Sequence, residues 1–328
     1  MTSAVLFDHP GPPEVLQWRP VDPVRPRPDE VVIKVTAAGV NNADLMQRRG
    51  QYPVPTWAPR SLGLECAGTI IEVGDHVAAW SPGDTVCALL DGGGYADEVA
   101  VPASQVMRVP TGLTAVEAAA IPEVAATVYS NLAMVARLTR GQTVLIHGAG
   151  GGIGTFAIQW ATAIGAHVIT TAGSVGKTRA GLDMGAQVAI NYRTQDFVAA
   201  TLTATKGAGV NAILDVVGSE YLGRNIECLA PDGHLVVIGG SMAPAPLDLG
   251  LLMSKRASVT ATMLRARPPQ QKADIIAGVT RDVLPLFDSG AVRVVVDTVL
   301  PLAEAARAHE LLESKGTVGK VILENRSG

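Results

Sequence analysis

The stretch Val144-Leu145-Ile146-His147-Gly148-Ala149-Gly150-Gly151-Gly152-Ile153-Gly154 constrains this chain more than any other. An apolar, β-branched run leads into clustered glycines and then into an apolar segment with helical spacing, which predicts a strand, a tight turn and a helix. Only glycine lets a backbone turn this tightly, and the missing Cβ atoms let a pyrophosphate lie against the N–H groups that open the helix. The spacing is GxxGxxG, at Gly148, Gly151 and Gly154, rather than GxGxxG, and glycine-rich turns also arise for purely steric reasons. Context favours the phosphate reading, because the turn begins a βαβ unit. The lack of a Gly-Lys-Ser/Thr sequence disfavours a nucleoside triphosphatase loop.

The second strand of that unit decides which dinucleotide fits. It ends at Thr170-Thr171 and continues as Ala172-Gly173-Ser174-Val175-Gly176-Lys177-Thr178-Arg179, without the carboxylate that would hold both ribose hydroxyls. A missing carboxylate removes the repulsion of a 2′-phosphate, while Ser174, Lys177 and Arg179 offer a donor and positive charge. NADPH is therefore the expected cofactor. The competing reading makes Lys177 and Arg179 a solvated helix face.

At about 150 residues per domain, 328 residues predict two domains. The first third is dense in Pro and Gly, with short β-branched runs at 31–35 and 67–73, and reads as irregular and mostly β. A helix is expected over 115–120, punctuated by Pro122. From about Ala125 strands alternate with helices: strands at 143–147, 167–171, 188–191, 210–217, 234–238 and 258–264, and helices at 153–164, 177–184, 195–205, 221–229 and 249–255. The class is α/β, with a doubly wound parallel sheet. After Arg265 come a helical stretch broken at Pro285, a strand at 292–296, a helix at 302–312 and a strand at 320–323, a tail that could complete the first domain.

Charge and cysteine usage narrow the function classes. With 26 basic against 30 acidic residues, the chain has no basic surplus for phosphate backbones, so nucleic acid is not expected as a partner. No apolar run approaches the roughly 18 to 20 residues that span a bilayer, and no basic-then-apolar leader opens the sequence, so the expected address is the cytoplasm. Cys66, Cys87 and Cys228 are too widely spaced for a metal knuckle or a disulfide framework and read as buried thiols.

Several segments carry a family likeness: 41–52, from Asn41-Asn42-Ala43-Asp44 to Gln51-Tyr52; Leu62-Gly63-Leu64-Glu65-Cys66-Ala67-Gly68; Ala118-Ala119-Ala120-Ile121-Pro122-Glu123; and Asn191-Tyr192. Through them nearly the whole chain resembles the zinc-free quinone oxidoreductases of the medium-chain dehydrogenase/reductase superfamily, to which zeta-crystallin belongs. The likeness is greatest to the tumour-suppressor-inducible subgroup. It implies a GroES-like catalytic domain formed by residues 1–124 and 265–328, with a Rossmann NADP-binding domain at 125–264 inserted. It also implies that Asn41, Tyr52 and Thr127 line the nicotinamide and substrate end, and that Gly148, Gly151, Gly152 and Gly154 cradle the pyrophosphate. By the same likeness Gly173, Ser174, Lys177 and Tyr192 form the 2′-phosphate pocket, and the backbone of Gly239 and Gly240 faces the carboxamide. A homodimer is the family habit.

Zinc-bearing relatives place a Cys ligand where this chain has Asn41 and a His ligand where it has Leu64, and their four-cysteine structural loop is missing near Asp91-Gly92-Gly93-Gly94-Tyr95. No metal is therefore expected, and Glu65 reads as a structural carboxylate. Chemistry without a metal suits an acceptor that is already electron-poor, such as a quinone, for which proximity and orientation matter more than a proton donor. Tyr52 could donate a hydrogen bond to the acceptor oxygen and Asn41 could orient either ring. Their rival readings are a packing residue beside Pro53 and a turn residue bonded to its own backbone. Two other functions stay open: NADPH-dependent reduction of activated alkenes such as enals or enoyl thioesters, and a non-enzymatic, NADPH-binding crystallin-like or RNA-associating role.

Overall fold

A computed structural model describes residues 2–326, so Met1 and positions 327 and 328 of the expected outer segments lie outside the described residues. The chain divides into two compact units. One comprises Met1–Ala126, Leu264–Asp288 and Val294–Gly328, and the other Thr127–Met263 and Ser289–Arg293.

In the second unit, short apolar strands too hydrophobic to face water on either side form a six-stranded sheet, and every pairing in it is parallel. Its spatial order is Val188–Asn191, His167–Ala172, Thr143–His147, Val210–Asp215, Leu229–Val237 and Ser258–Ala261, the doubly wound arrangement. The order reverses between Thr143–His147 and Val210–Asp215, so the glycine turn leaves the sheet at the switch point where ligands of such sheets bind. The connecting helices are Gly152–Ala163, Val175–Asp183, Phe197–Ala204, Leu222–Cys228 and Leu249–Lys255. The strand expected over 210–217 stops at Asp215 because that carboxylate accepts the N–H groups of Val217 and Gly218 and turns the chain.

The first unit holds a two-stranded ribbon, Thr2–Leu6 with Gln17–Val21, and a seven-stranded sheet. At the centre of that sheet Glu30–Gly39 pairs antiparallel with Glu65–Val73, Glu98–Pro102 and Lys320–Glu324. Val31, Ile33, Val35, Val86, Val101, Val321 and Leu323 form its core. The strand expected at 292–296 lies instead at Val296–Pro301. Arg293 bonds through its backbone N–H and C=O to the side-chain amide of Gln159 (3.0 and 3.1 Å), so its polar groups go to a helix side chain rather than to a ladder. The break expected at Pro285 falls two residues earlier, at Val283, between helices Pro269–Asp282 and Leu284–Asp288, and Pro285 itself lies at the opening of the second helix. It is the second residue of Leu284–Asp288, where its missing N–H costs nothing.

Residues Ala115–Val135 form a helical stretch long and apolar enough, by length and composition, to cross a membrane, which the sequence pattern did not anticipate; 72% of its apolar 18-residue window is buried within the protein, as in a core helix.

Candidate functional site

The glycine turn is built as a cradle. Gly148 takes φ +85°, a left-handed conformation that L side chains resist, and Thr171 O accepts the N–H groups of both Gly148 and Ala149. Gly151 caps helix Gly152–Ala163 without any side-chain hydrogen bond, so the first N–H groups of that helix are left for an acceptor. At Gly154 a Cβ would come to 2.0 Å from Gly148 O, so helix and turn touch backbone to backbone.

The adjoining loop brings four of the expected residues together. A Cβ at Gly150 would meet the methylenes of Lys177 at 2.7 to 3.1 Å, which places that lysine stem across the glycine turn. A Cβ at Gly173 would meet the Tyr192 hydroxyl at 2.4 Å, so the phenol lies against the end of the second strand. Ser174 Oγ caps helix Val175–Asp183 by accepting Lys177 N–H at 3.4 Å. Arg179 goes elsewhere: it pairs with Asp183 on the solvated face of the helix.

Beneath the turn runs a buried chain that sequence reasoning missed. His147 Nδ1 accepts from Thr171 Oγ1 (2.9 Å), His147 Nε2 donates to Asn225 Oδ1 (2.8 Å), and Asn225 Nδ2 donates to Asp215 Oδ2 (3.1 Å). Burial lowers His147 to a pKa of about 4 and raises Asp215 to about 6. The neutral imidazole, a donor at one nitrogen and an acceptor at the other, thus joins the ends of three strands. Gly240, at φ +90°, crosses Val217 so closely that a Cβ would sit 2.1 Å from its carbonyl carbon; Gly239 before it has open space at its Cβ position. Thr127 is buried, and its carbonyl accepts Ser130 Oγ and Asn131 Nδ2.

In the first unit, Asn41 stands at the start of helix Asn42–Arg48 with both ends of its amide engaged. Its Oδ1 accepts Lys320 Nζ at 2.6 Å and its Nδ2 donates to Glu65 Oε1 at 2.9 Å. Lys320 Nζ also reaches Glu65 Oε1 (2.6 Å) and Val40 O (3.1 Å), forming a buried ion pair. Asp44 accepts Asn41 N–H, Gly63 N–H and Tyr95 OH, and burial raises its pKa to about 6. Tyr52 lies 5.9 Å from the Arg265 guanidinium, which ties its loop through Gln47 Oε1, Asp91 O and Pro59 O. Burial, then the Glu123 carboxyl, pushes the Tyr52 phenol up to about 12. Arg265 and Lys320 offered no motif in the sequence, and Glu123 stood only at the end of the likeness segment 118–123, with no role attached to it.

These residues do not fit a zinc site. An ammonium lies between Asn41 and Glu65, and Leu64, 1% exposed, supplies a hydrocarbon where an imidazole is required. Residues 27–111 match the alcohol dehydrogenase GroES-like domain family and residues 184–323 the zinc-binding dehydrogenase family. A quinone oxidoreductase of Pseudomonas aeruginosa is 32% identical over 98% of this chain and 99% of its own. The structure of Escherichia coli quinone oxidoreductase complexed with NADPH superimposes with a TM-score of 0.87 at 32% identity, covering 98% of this chain and 99% of that one. A 2-haloacrylate reductase of Burkholderia is 30% identical over 98% of this chain and 99% of its own.

Proposed function

The chain belongs to the quinone oxidoreductase family of the medium-chain dehydrogenase/reductase superfamily, and from that premise we propose that it passes hydride from NADPH to a quinone, without a metal ion, in the cytoplasm. The observation that carries the reading is Lys320 Nζ lodged between Asn41 and Glu65, which leaves an electron-poor acceptor as the substrate that needs no Lewis acid. A homodimer belongs to the same proposal and is checked by sedimentation.

The residues present suit NADPH, which when bound supplies the hydride. The uncapped N–H groups at Gly152 and Gly154, with the turn from Gly148 to Gly151, would take the pyrophosphate. Lys177, Ser174 and Tyr192, beside Gly173, would take the 2′-phosphate, Thr127 would line the nicotinamide end, and the Gly239 and Gly240 backbone would face the carboxamide. Asn41 would orient the acceptor through an amide edge already fixed by Lys320 and Glu65. Tyr52 would donate a hydrogen bond to the acceptor oxygen as charge develops there.

Two measurements test this assignment. Prolonged dialysis against a chelator should leave turnover of NADPH with a quinone unchanged; stoichiometric zinc whose removal abolishes turnover would overturn the metal-free reading. Tyr52→Phe should lower kcat roughly tenfold, about 1.4 kcal/mol of transition-state stabilisation, while the Kd for NADPH stays within about twofold. Unchanged kcat would assign Tyr52 to packing.

A second reading, reduction of activated alkenes, is favoured by the likeness to 2-haloacrylate reductase and differs in needing a proton delivered to carbon. A panel of quinones, enals and enoyl thioesters, followed by NADPH consumption, separates the two. Absence of turnover with every acceptor under saturating NADPH would favour the non-enzymatic role.

A further inference from the structure

Glu123 lies in the first turn of helix Pro122–Val128, and its backbone N–H donates to Glu65 Oε2 at 2.9 Å. The other oxygen of that carboxylate takes Asn41 Nδ2 at 2.9 Å and Lys320 Nζ at 2.6 Å, so Glu65 draws Asn41, Lys320 and Glu123 to one place. The bond from its N–H anchors the Glu123 backbone beside Glu65, to which Lys320 is paired, and the Glu123 carboxyl lies within electrostatic reach of Glu65, Lys320 and the Tyr52 phenol. The Glu123 residue is half-buried, and among the described residues no hydrogen bond is made to its carboxyl oxygens. An acid in that position has neither a donor to hold its anion nor full access to water.

On the reading that this chain is an NADPH-dependent reductase, we propose that Glu123 is the proton donor to the reduced acceptor. The acceptor gains a hydride and its two electrons from NADPH. The Glu123 O–H bond then breaks, and its proton forms the O–H bond of a quinol or the C–H bond beside the activating group of an alkene. Glu123 is left as a carboxylate and recovers its proton from water. An alkene depends on this step more than a quinone, because a carbanion-like centre must be protonated before product can leave.

The electrostatics agree. Burial first, then Glu65 on strand Glu65–Val73, with Asp44 on helix Asn42–Arg48, push the Glu123 carboxyl up to about 8, against the opposing pull of Lys320 on its strand and Lys272 on helix Pro269–Asp282. Glu123 therefore holds its proton at neutral pH and loses it as pH rises through about 8. The Tyr52 phenol, at about 12, is the weaker acid by far and suits a hydrogen bond better than a proton transfer.

The test compares wild type, Glu123→Gln and Glu123→Asp with a 2-alkenal and a quinone from pH 6 to 10, a span of roughly two units either side of the expected midpoint. Wild-type kcat with the alkenal should fall above about pH 8, Glu123→Gln should lose roughly a hundredfold at pH 7 together with that alkaline limb, and Glu123→Asp should recover about tenfold with the limb displaced. Difference infrared spectra, which need no turnover, should show a protonated-carboxyl band at pH 7 in wild type that is missing in Glu123→Gln. Wild-type turnover with Glu123→Gln retaining the limb, or no such band in wild type, overturns the proton-donor assignment alone. A wild type that consumes NADPH with neither acceptor overturns the reductase reading and this assignment with it.

Discussion

Gly154→Ala should weaken NADPH binding more than about a hundredfold and lower the melting temperature, because the new methyl has nowhere to go. Its carbon would stand 2.0 Å from Gly148 O, 2.8 Å from Gly148 C and 3.1 Å from Ala149 Cα, all backbone atoms that cannot rotate aside. The turn cannot retreat either, since the N–H groups of Gly148 and Ala149 are both bonded to Thr171 O. Relief requires parting the helix from the turn, which destroys the arrangement of N–H groups that would hold the pyrophosphate. Overpacking of this kind costs about 1–3 kcal/mol of stability and occasionally more, and the binding loss adds to it. Gly223→Ala, in helix Leu222–Cys228 with nothing outside the helix's own neighbouring backbone within 4 Å of the added carbon, should keep wild-type affinity and gain up to about 1 kcal/mol of stability from helix propensity. Calorimetric titration with NADPH and thermal melts of both variants decide the matter: wild-type affinity in Gly154→Ala removes the glycine turn from the cofactor site.

Lys177→Ala should weaken NADPH by roughly ten- to a hundredfold and leave NADH nearly untouched, since one charge-assisted hydrogen bond contributes about 1.5–3 kcal/mol. The lysine stem crosses Gly150, Ser174 caps the same helix, and Tyr192 lies against Gly173, so a 2′-phosphate there would meet an ammonium, two hydroxyls and helical N–H groups. The 2′-hydroxyl of NADH brings no charge to the same groups. Arg179 does not substitute, because its guanidinium points along the solvated face toward Asp183. The readout is the ratio of the two dissociation constants, in wild type and variant, at fixed salt. Wild-type preference for NADH, or equal weakening of both cofactors, would reduce Lys177 to a surface residue.

The sequence by itself determined the parts of this protein governed by local chemistry. Glycines after an apolar strand dictate the turn, the alternation of apolar runs with helical segments dictates a parallel sheet, and the missing acid after Thr171 shapes the dinucleotide pocket, because each depends on neighbours within a few tens of residues. Tertiary structure alone decided the polar cluster around Asn41. Asn41, Glu65 and Lys320 meet although 279 positions separate the first from the last, and their contacts fix the Asn41 amide at both ends and put an ammonium between it and Glu65. It also moved the strand expected at 292–296 to Val296–Pro301, where the backbone of Arg293 donates to and accepts from the side-chain amide of Gln159, more than a hundred positions away. The physical reason is the same in both cases. Turn and strand propensities act along the chain, whereas desolvation, ion pairing and the satisfaction of buried polar groups act through space, and they made a buried ammonium of Lys320 and a weakened acid of Glu123.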